Sequence, residues 1–215
     1  NFKLESEGEK LILSDQIGTV VDSISFPSIL SNMSYGRVVE DINNWEYFPQ
    51  PIPMGENLGL SYIGITNPPV LNINGGFYPI GEQIIVLNDQ ENIQNRYTLN
   101  GSMPTMDDEV FSGKILDENL ILKIRSFKEG YIPSKVITNS YFNEDLLRGL
   151  PVVSLISDSS YFFGIDSGLL VAGDQAANGF PFFGANWWSD CPHSNMREYG
   201  CEDWEHPVHV EFFEP

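Results

Sequence analysis

The segment at residues 119–127, NLILKIRSF, points to the fold class because its side chains alternate in character. Leu120, Leu122 and Ile124 fall on one side of an extended chain, whereas the opposite side carries two cations. A period of two is the pattern of a β-strand with one face buried and one face near solvent. The segment therefore predicts a half-buried strand.

Other β signals lie on both sides of this segment. Residues 9–26 predict a hairpin, with strands near 11–13 and 20–26 joined by a turn at 15–18. Turn residues are frequent, and no long segment keeps the 3.6-residue apolar period of a helix. The sequence thus predicts a mainly β protein. Further predicted strands are PPVLNI, EQIIVLN, NRYTLNG, LPVVSLIS and PVHVEFF.

The composition bounds the class of protein. Of 215 residues, 41% are hydrophobic and 13% aromatic, enough to build buried cores. The formal net charge of −19 disfavours binding to nucleic acid, because phosphates would be repelled. No run approaches the roughly 18 apolar residues of a membrane helix, so no membrane insertion is predicted. The chain opens on NFKL, from which we expect an internal fragment of a longer parent.

The chain is predicted to contain three segments, at residues 1–57, 58–142 and 143–215. Three alternating prolines in the stretch FPQPIPMGENLG, residues 48–59, favour an extended linker after the first segment. In the third segment, Val208, Val210 and Phe212 share one face of a predicted strand, and that strand needs partners.

The first two segments resemble known β-domains of secreted bacterial proteins. The stretch NFKLESEGEKLILSDQIGTVVDSISFPS, followed by SYGR and NWEYFPQPIPMGEN, resembles the second half of a lamin-tail domain, an immunoglobulin-like sandwich. YTLNGSMPT and LKIRSFKEGYIPSKV resemble the small Fn3-like domain at the C-terminus of chitobiases. The resemblance implies tandem immunoglobulin- and Fn3-like β-sandwiches.

The third segment resembles a different family. LPVVSLISD, GLLVAG and WEHPVHVEFFEP are similar to the opening of a spore-coat-H-like (CotH) domain, an atypical protein-kinase-like family. The resemblance implies the first part of a larger α+β domain, with the kinase's catalytic residues downstream of this sequence. It also implies an extracellular or cell-surface location and, as partners, the other domains of a longer parent.

Residues 191–215 contain both cysteines and all three histidines of the chain. A zinc site would draw on Cys191, His193, Cys201, and His206 or His209, but this spacing matches no common structural zinc pattern. If the parent is secreted, a disulfide between the two cysteines is favoured, stabilising by about 2.5–3 kcal/mol. Free thiols are the third alternative.

Two further groups of residues are candidates for binding. Trp187, Trp188 and Trp204 are candidate carbohydrate-stacking or interface aromatics, with packing inside the protein as the alternative. Asp107 and Asp108 in the acidic turn PTMDDE, and Asp174 in DQAANG, which partly matches an EF-hand loop, are candidate calcium ligands. No other cofactor is predicted.

Motifs for catalysis are not found in the sequence. It contains no G-x-S-x-G elbow, no P-loop and no G-x-G-x-x-G fingerprint. We therefore expect a non-catalytic portion of a secreted or cell-surface bacterial protein, acting as spacer and as binding or adhesion modules toward a surface protein or polysaccharide. There are two alternatives. The chain could be part of a CotH-like ATP-dependent kinase, so that whether the parent is an enzyme stays open, or it could be a carbohydrate-binding module.

Overall fold

The computed structural model of the chain describes residues 3–5, 7–88, 90–146, 149–166, 168–171 and 205–214. Of the described residues, 39% lie in strands and 4% in helices, so the predicted mainly β class is confirmed. In chain order the elements are β1 (Gly8–Ser14), β2 (Val20–Pro27), β3 (Ser34–Arg37), β4 (Trp45–Phe48), β5 (Gly64–Ile65), β6 (Gly76–Tyr78), β7 (Gln83–Ile84), β8 (Gln94–Thr98), β9 (Lys114–Ile115), β10 (Leu120–Phe127), β11 (Tyr131–Ile132), β12 (Ile137–Asn143), a 3₁₀ turn (Glu144–Leu146), β13 (Val152–Ile156), α1 (Ser159–Phe163) and β14 (His209–Phe213). None of the helices described is long and apolar enough to cross a membrane.

The chain divides into two compact units. The first contains the described residues up to Thr66 together with Lys128–Pro133, and the second contains Asn67–Phe127 and the described residues from Ser134 onward. This division follows the packing of the chain. The three predicted segments and their assignment to domain families remain predictions.

In the first unit, β1 and β2 form the predicted hairpin, with register from Gly8 opposite Pro27 to Ser14 opposite Val20. The turn is closed by Asp15, whose Oδ1 accepts hydrogen bonds from the backbone N–H groups of Ile17 and Thr19, at 3.0 and 2.8 Å. Aspartate is favoured in turns because its side chain can satisfy nearby backbone donors in this way. The predicted hairpin is confirmed.

An aromatic cluster lies on the second hairpin of this unit, β3–β4. The Tyr35 ring lies 5.9 Å from that of Trp45 and 4.9 Å from that of Tyr47. Arg37 extends over Trp45 and forms an ion pair with Asp22 at 2.8 Å. Both ion-pair partners are about 40% exposed, so the pair contributes little stability. The first unit also contains the parallel pair β5–β11.

The second unit is built on a four-stranded sheet in the order β6-β12-β10-β8. β10 runs antiparallel to both of its neighbours, and β6 runs parallel to β12. The alternation predicted for residues 119–127 is observed along β10, whose buried and half-buried side chains alternate. The core cluster of buried side chains comprises Ile84, Phe111, Leu116, Leu120, Leu122, Ile124 and Tyr141.

Two predicted strands are much shorter than expected. PPVLNI forms only an isolated bridge between Leu71 and Val86, and EQIIVLN contributes only the two residues of β7. Prolines lack the N–H that a strand ladder requires, so PPVLNI cannot pair along its whole length. Asparagine side chains supply hydrogen bonds instead: Asn72 bonds the backbone of Gln83 and Ile85 at 2.8 Å each.

β13 and β14 form an antiparallel two-stranded sheet, here called the ribbon, in the second unit. Its register runs from Val152 opposite Phe213 to Ile156 opposite His209. Both predicted strands, LPVVSLIS and PVHVEFF, are therefore confirmed. α1 follows β13 directly, and Asp158 caps its N-terminus by accepting a hydrogen bond from Ser160 N–H.

Candidate functional site

One face of the ribbon, here called the inner face, lies against β12. The hydroxyl oxygens of Ser154 on β13 and Ser140 on β12 are 2.6 Å apart, and both residues are buried. Beside them, Glu211 Oε2 on β14 accepts a hydrogen bond from Ser140 N–H at 2.7 Å. Hydrogen bonds to a charged group contribute about 1.5–3 kcal/mol, so this contact is a principal attachment of the ribbon.

Aromatic packing fixes the end of the ribbon where β14 finishes. The Phe213 ring is approached edge-to-face by Phe77 of β6, with centroids 6.0 Å apart, and by Phe142 of β12, at 5.6 Å. Aromatic pairs of this geometry contribute about 0.5–1.5 kcal/mol beyond their burial. The inner face thus combines polar contacts near its middle with aromatic contacts at one end.

Gly75 permits the close approach of Glu211 to β12. A Cβ atom at this position would lie 2.7 Å from Glu211 Oε1 and 3.0 Å from the carbonyl oxygen of Ser140. The first contact would push the Glu211 carboxylate away, and the second would require the β12 backbone to shift by a few tenths of an ångström. A side chain at position 75 would therefore oppose the contact between Glu211 and Ser140.

The other face of the ribbon, here called the outer face, is apolar and accessible. It consists of Val153, Leu155, Val208, Val210 and Phe212, which are 49–60% exposed. The register explains their proximity, because Val153 pairs with Phe212 and Leu155 with Val210, and directly opposed residues project to the same side. The shared face predicted for Val208, which directly precedes β14, and for Val210 and Phe212 is confirmed. An exposed apolar sheet face of this kind is a candidate interaction surface.

The charges at the ends of the ribbon are negative. Asp158 follows β13, Glu205 precedes β14, and Glu214 follows β14. Neither residues 150–158 nor residues 205–214 include a lysine or arginine. Hydrogen bonds from the Ser160 hydroxyl and N–H lower the pKa of Asp158, and the nearby charge of Lys123 on β10 lowers it further, so this carboxylate stays ionised. The ribbon's own charged side chains therefore give the apolar outer face an acidic rim, and Lys123 of β10 interacts with one member of that rim, Asp158.

The start of β14 is held beside β13 and α1. Ser157 Oγ donates a hydrogen bond to the carbonyl oxygen of Pro207 at 2.6 Å. The His206 ring stacks on Tyr161 with centroids 4.4 Å apart and the planes only 6° from parallel. These contacts fix Val208 at the edge of the outer face.

A second candidate region is the acidic turn at residues 104–109. Asp108 Oδ2 accepts hydrogen bonds from Thr105 N–H at 2.7 Å and Thr105 Oγ1 at 2.8 Å, and these bonds lower the pKa of the Asp108 carboxyl. Asp108 and Glu109 line a cleft of about 390 Å³, whereas Asp107 is exposed. Within the part of the chain that is described, no three histidine, cysteine, aspartate or glutamate side chains lie close enough to hold a metal. The calcium site stays a prediction.

The remaining predicted site residues lie outside the described part of the chain: Cys191, His193, Cys201, Trp187, Trp188, Trp204 and Asp174. The disulfide, the zinc alternative and the carbohydrate-stacking aromatics therefore stay predictions.

The polar contacts of the inner face were not anticipated from the sequence. A signal for them does exist, because Ser154 interrupts the apolar segment LPVVSLI and Glu211 lies directly between Val210 and Phe212. A polar residue in such a position is expected to have a hydrogen-bond partner when it is buried. The sequence does not show, however, that both partners meet at Ser140.

Comparison of the chain with protein-family models, with curated proteins and with solved structures found no match. The lamin-tail, Fn3-like and CotH resemblances stay predictions.

Proposed function

We propose that this chain is a non-catalytic portion of a secreted or cell-surface bacterial protein, in which it acts as a spacer and as a binding or adhesion module. The observation that carries the binding role is the apolar outer face of the ribbon. The bacterial origin and the extracellular location are supported by the lamin-tail, Fn3-like and CotH resemblances alone.

The outer face suits binding because it is both apolar and preorganised. Its five side chains come from two strands, and the hydrogen bonds of Ser154 and Glu211 hold those strands against β12. A surface that is already ordered loses less conformational entropy on association than a loop does. Burial of its apolar area would then contribute about 25 cal/mol per Å² before the costs of association.

Accessibility of the outer face is tested with the neutral dye Nile red. The double variant Leu155→Thr/Val210→Thr introduces threonine at both positions. Threonine is β-branched and therefore suits a strand, but its hydroxyl makes the face more polar. We expect dye fluorescence to fall well below that of the wild-type chain. The control, Val21→Thr, changes an exposed valine of the β2 strand in the first unit. Equal fluorescence from the double variant and the wild type would remove the basis of the proposal.

A second candidate function is part of a CotH-like ATP-dependent kinase. The exposed outer face favours it, because the first strands of a larger domain would present an apolar face to the rest of that domain. This candidate is distinguished by incubating the parent protein, at its natural length, with labelled ATP and an acceptor protein. Phosphate transfer would support the kinase, and its absence would favour the spacer and binding role.

A further inference from the structure

The outer face has features that specify the chemistry of its partner. This inference rests on the proposed binding role of the outer face. We propose that the outer face binds an extended polypeptide segment that has apolar residues at alternate positions and lysine or arginine at its ends.

The alternation follows from the geometry of the ribbon. Val210 and Phe212 alternate along β14, Val208 continues the same spacing directly before it, and Val153 and Leu155 alternate along β13. Apolar side chains are therefore spaced about 7 Å apart along each strand, with the two rows about 4.8 Å apart. An extended segment whose own apolar residues alternate has the same spacing and can place them along these rows.

The basic ends follow from the acidic rim. Asp158 and Glu205 flank the end of the ribbon where Ser157 bonds Pro207, and Glu214 lies at the opposite end. Lys123 of β10 offsets part of the charge of Asp158, so Glu205 and Glu214 carry most of the negative charge at the two ends. A segment with cations at both ends would bring positive charge to each end of the ribbon. Such complementarity speeds encounter and selects against acidic partners, and both effects weaken as salt is added.

A second copy of the chain fits the outer face less well. Each copy carries a formal net charge of −19, so two copies repel each other. Five partly exposed side chains also offer less than the roughly 800 Å² per partner that a standard stable interface buries. A short cationic segment avoids the repulsion and needs only a small surface.

The test uses fluorescence polarisation with the full 215-residue chain and three labelled peptides. The probe is KKVTVTVKK; EEVTVTVEE reverses the charge, and KKTSTSTKK removes the apolar residues. We expect KKVTVTVKK to bind at least fivefold more tightly than either control peptide, with affinity falling as salt rises from 50 to 300 mM. The outer-face variant Leu155→Thr/Val210→Thr should abolish this preference.

A variant that lacks the acidic rim tests separately whether these charges contribute to peptide binding. Asp158→Asn/Glu205→Gln/Glu214→Gln removes three charges. The asparagine that replaces Asp158 can still cap the N-terminus of α1. We expect it to weaken KKVTVTVKK binding several-fold, whereas Val21→Thr should have no effect. Circular dichroism establishes that each variant is folded before its affinity is interpreted.

The contrary outcomes are distinguishable. If the acidic peptide bound equally well, the proposal that the partner has basic ends would be overturned, but the outer face would still be an apolar binding surface. Equal binding of KKTSTSTKK, or unchanged binding by the folded outer-face variant, would mean that the acidic surface attracts cations without using this face. No peptide binding, together with a Nile red signal that depends on the outer face, would overturn this inference and retain the proposed function. A dimer that the outer-face variant abolishes would make a second copy the occupant.

Discussion

Glu211 on β14 accepts a hydrogen bond from the backbone N–H of Ser140 on β12, although the two residues are 71 positions apart in the sequence. β6 pairs with β12 only from Tyr141 onward, so Ser140 lies just beyond the last paired residue. The carboxylate thus meets a strand N–H at the point where the neighbouring strand has ended. One side chain both satisfies this donor and attaches the ribbon to the sheet.

Removal of this carboxylate should destabilise the second unit. We expect Glu211→Ala to lower the free energy of unfolding by about 1.5–3 kcal/mol, because a charge-assisted bond is lost and the N–H of buried Ser140 is left unsatisfied. Urea unfolding followed by far-UV circular dichroism measures the change, and hydrogen exchange of the Ser140 amide reports it locally. The matched control is Glu214→Ala, an exposed glutamate three residues away, which should cost less than about 0.5 kcal/mol. Equal costs for the two variants would contradict the assigned role.

The paired hydroxyl groups of Ser140 and Ser154 should behave as a coupled unit. Either Ser→Ala substitution alone leaves the other buried hydroxyl without this partner, at a cost of about 1–3 kcal/mol. The double variant removes both groups and should cost less than the sum of the single variants, by at least about 0.5 kcal/mol. A double-mutant cycle in urea checks this. Strictly additive costs would show that the 2.6 Å contact is not energetically coupled.

The sequence predicted strands well and their inward faces less well. Along β10 the alternation identified the core side correctly, because Leu120, Leu122 and Ile124 are all buried. On β14 the alternation separated the two faces, yet the face that carries Glu211 is the one that lies against the sheet. A period of two shows which residues share a side, and only the tertiary contacts decide which side is buried.

The outer face could not be predicted as a unit for a related reason. Its residues come from two segments separated by more than 50 positions, and only the register of β13 with β14 brings them together. Strand lengths were overestimated where PPVLNI was involved, since its prolines cannot donate ladder hydrogen bonds and asparagine side chains bond the backbone instead. Contacts made by side chains over such distances leave no periodic signal in the sequence.

Truncation of a core side chain should be far more costly than truncation at the surface. Leu122 on β10 is fully buried in the core cluster of the second unit. We expect Leu122→Ala to lower the free energy of unfolding by about 2–5 kcal/mol, because apolar burial is lost and a cavity remains. Leu150→Ala, at a leucine that is 70% exposed, is the matched control and should change it by less than about 0.5 kcal/mol. If urea midpoints shift equally in the two variants, the sheet does not form the core described here.

Tyr141 should make the stability of the second unit sensitive to alkaline pH. Burial raises the pKa of its hydroxyl to about 12, although a hydrogen bond from Asn139 acts in the opposite direction. In the unfolded chain a tyrosine ionises near pH 10, so between about pH 10 and 12 the unfolded state loses this proton first. The stabilising effect of the protonated Tyr141 is thus fully present below about pH 10 and is lost as the pH rises toward 12.

The corresponding variant is Tyr141→Phe, which also removes the hydrogen bond that the hydroxyl donates to the Ile73 carbonyl at 3.1 Å. At neutral pH we expect it to cost about 0.5–1.5 kcal/mol, as for a typical buried hydrogen bond. Between pH 10 and 12 the wild-type chain should lose stability more steeply than the variant, so that the two curves converge. Urea unfolding at half-unit pH intervals gives both curves. Parallel curves over this range would show that Tyr141 does not hold its proton in the folded state.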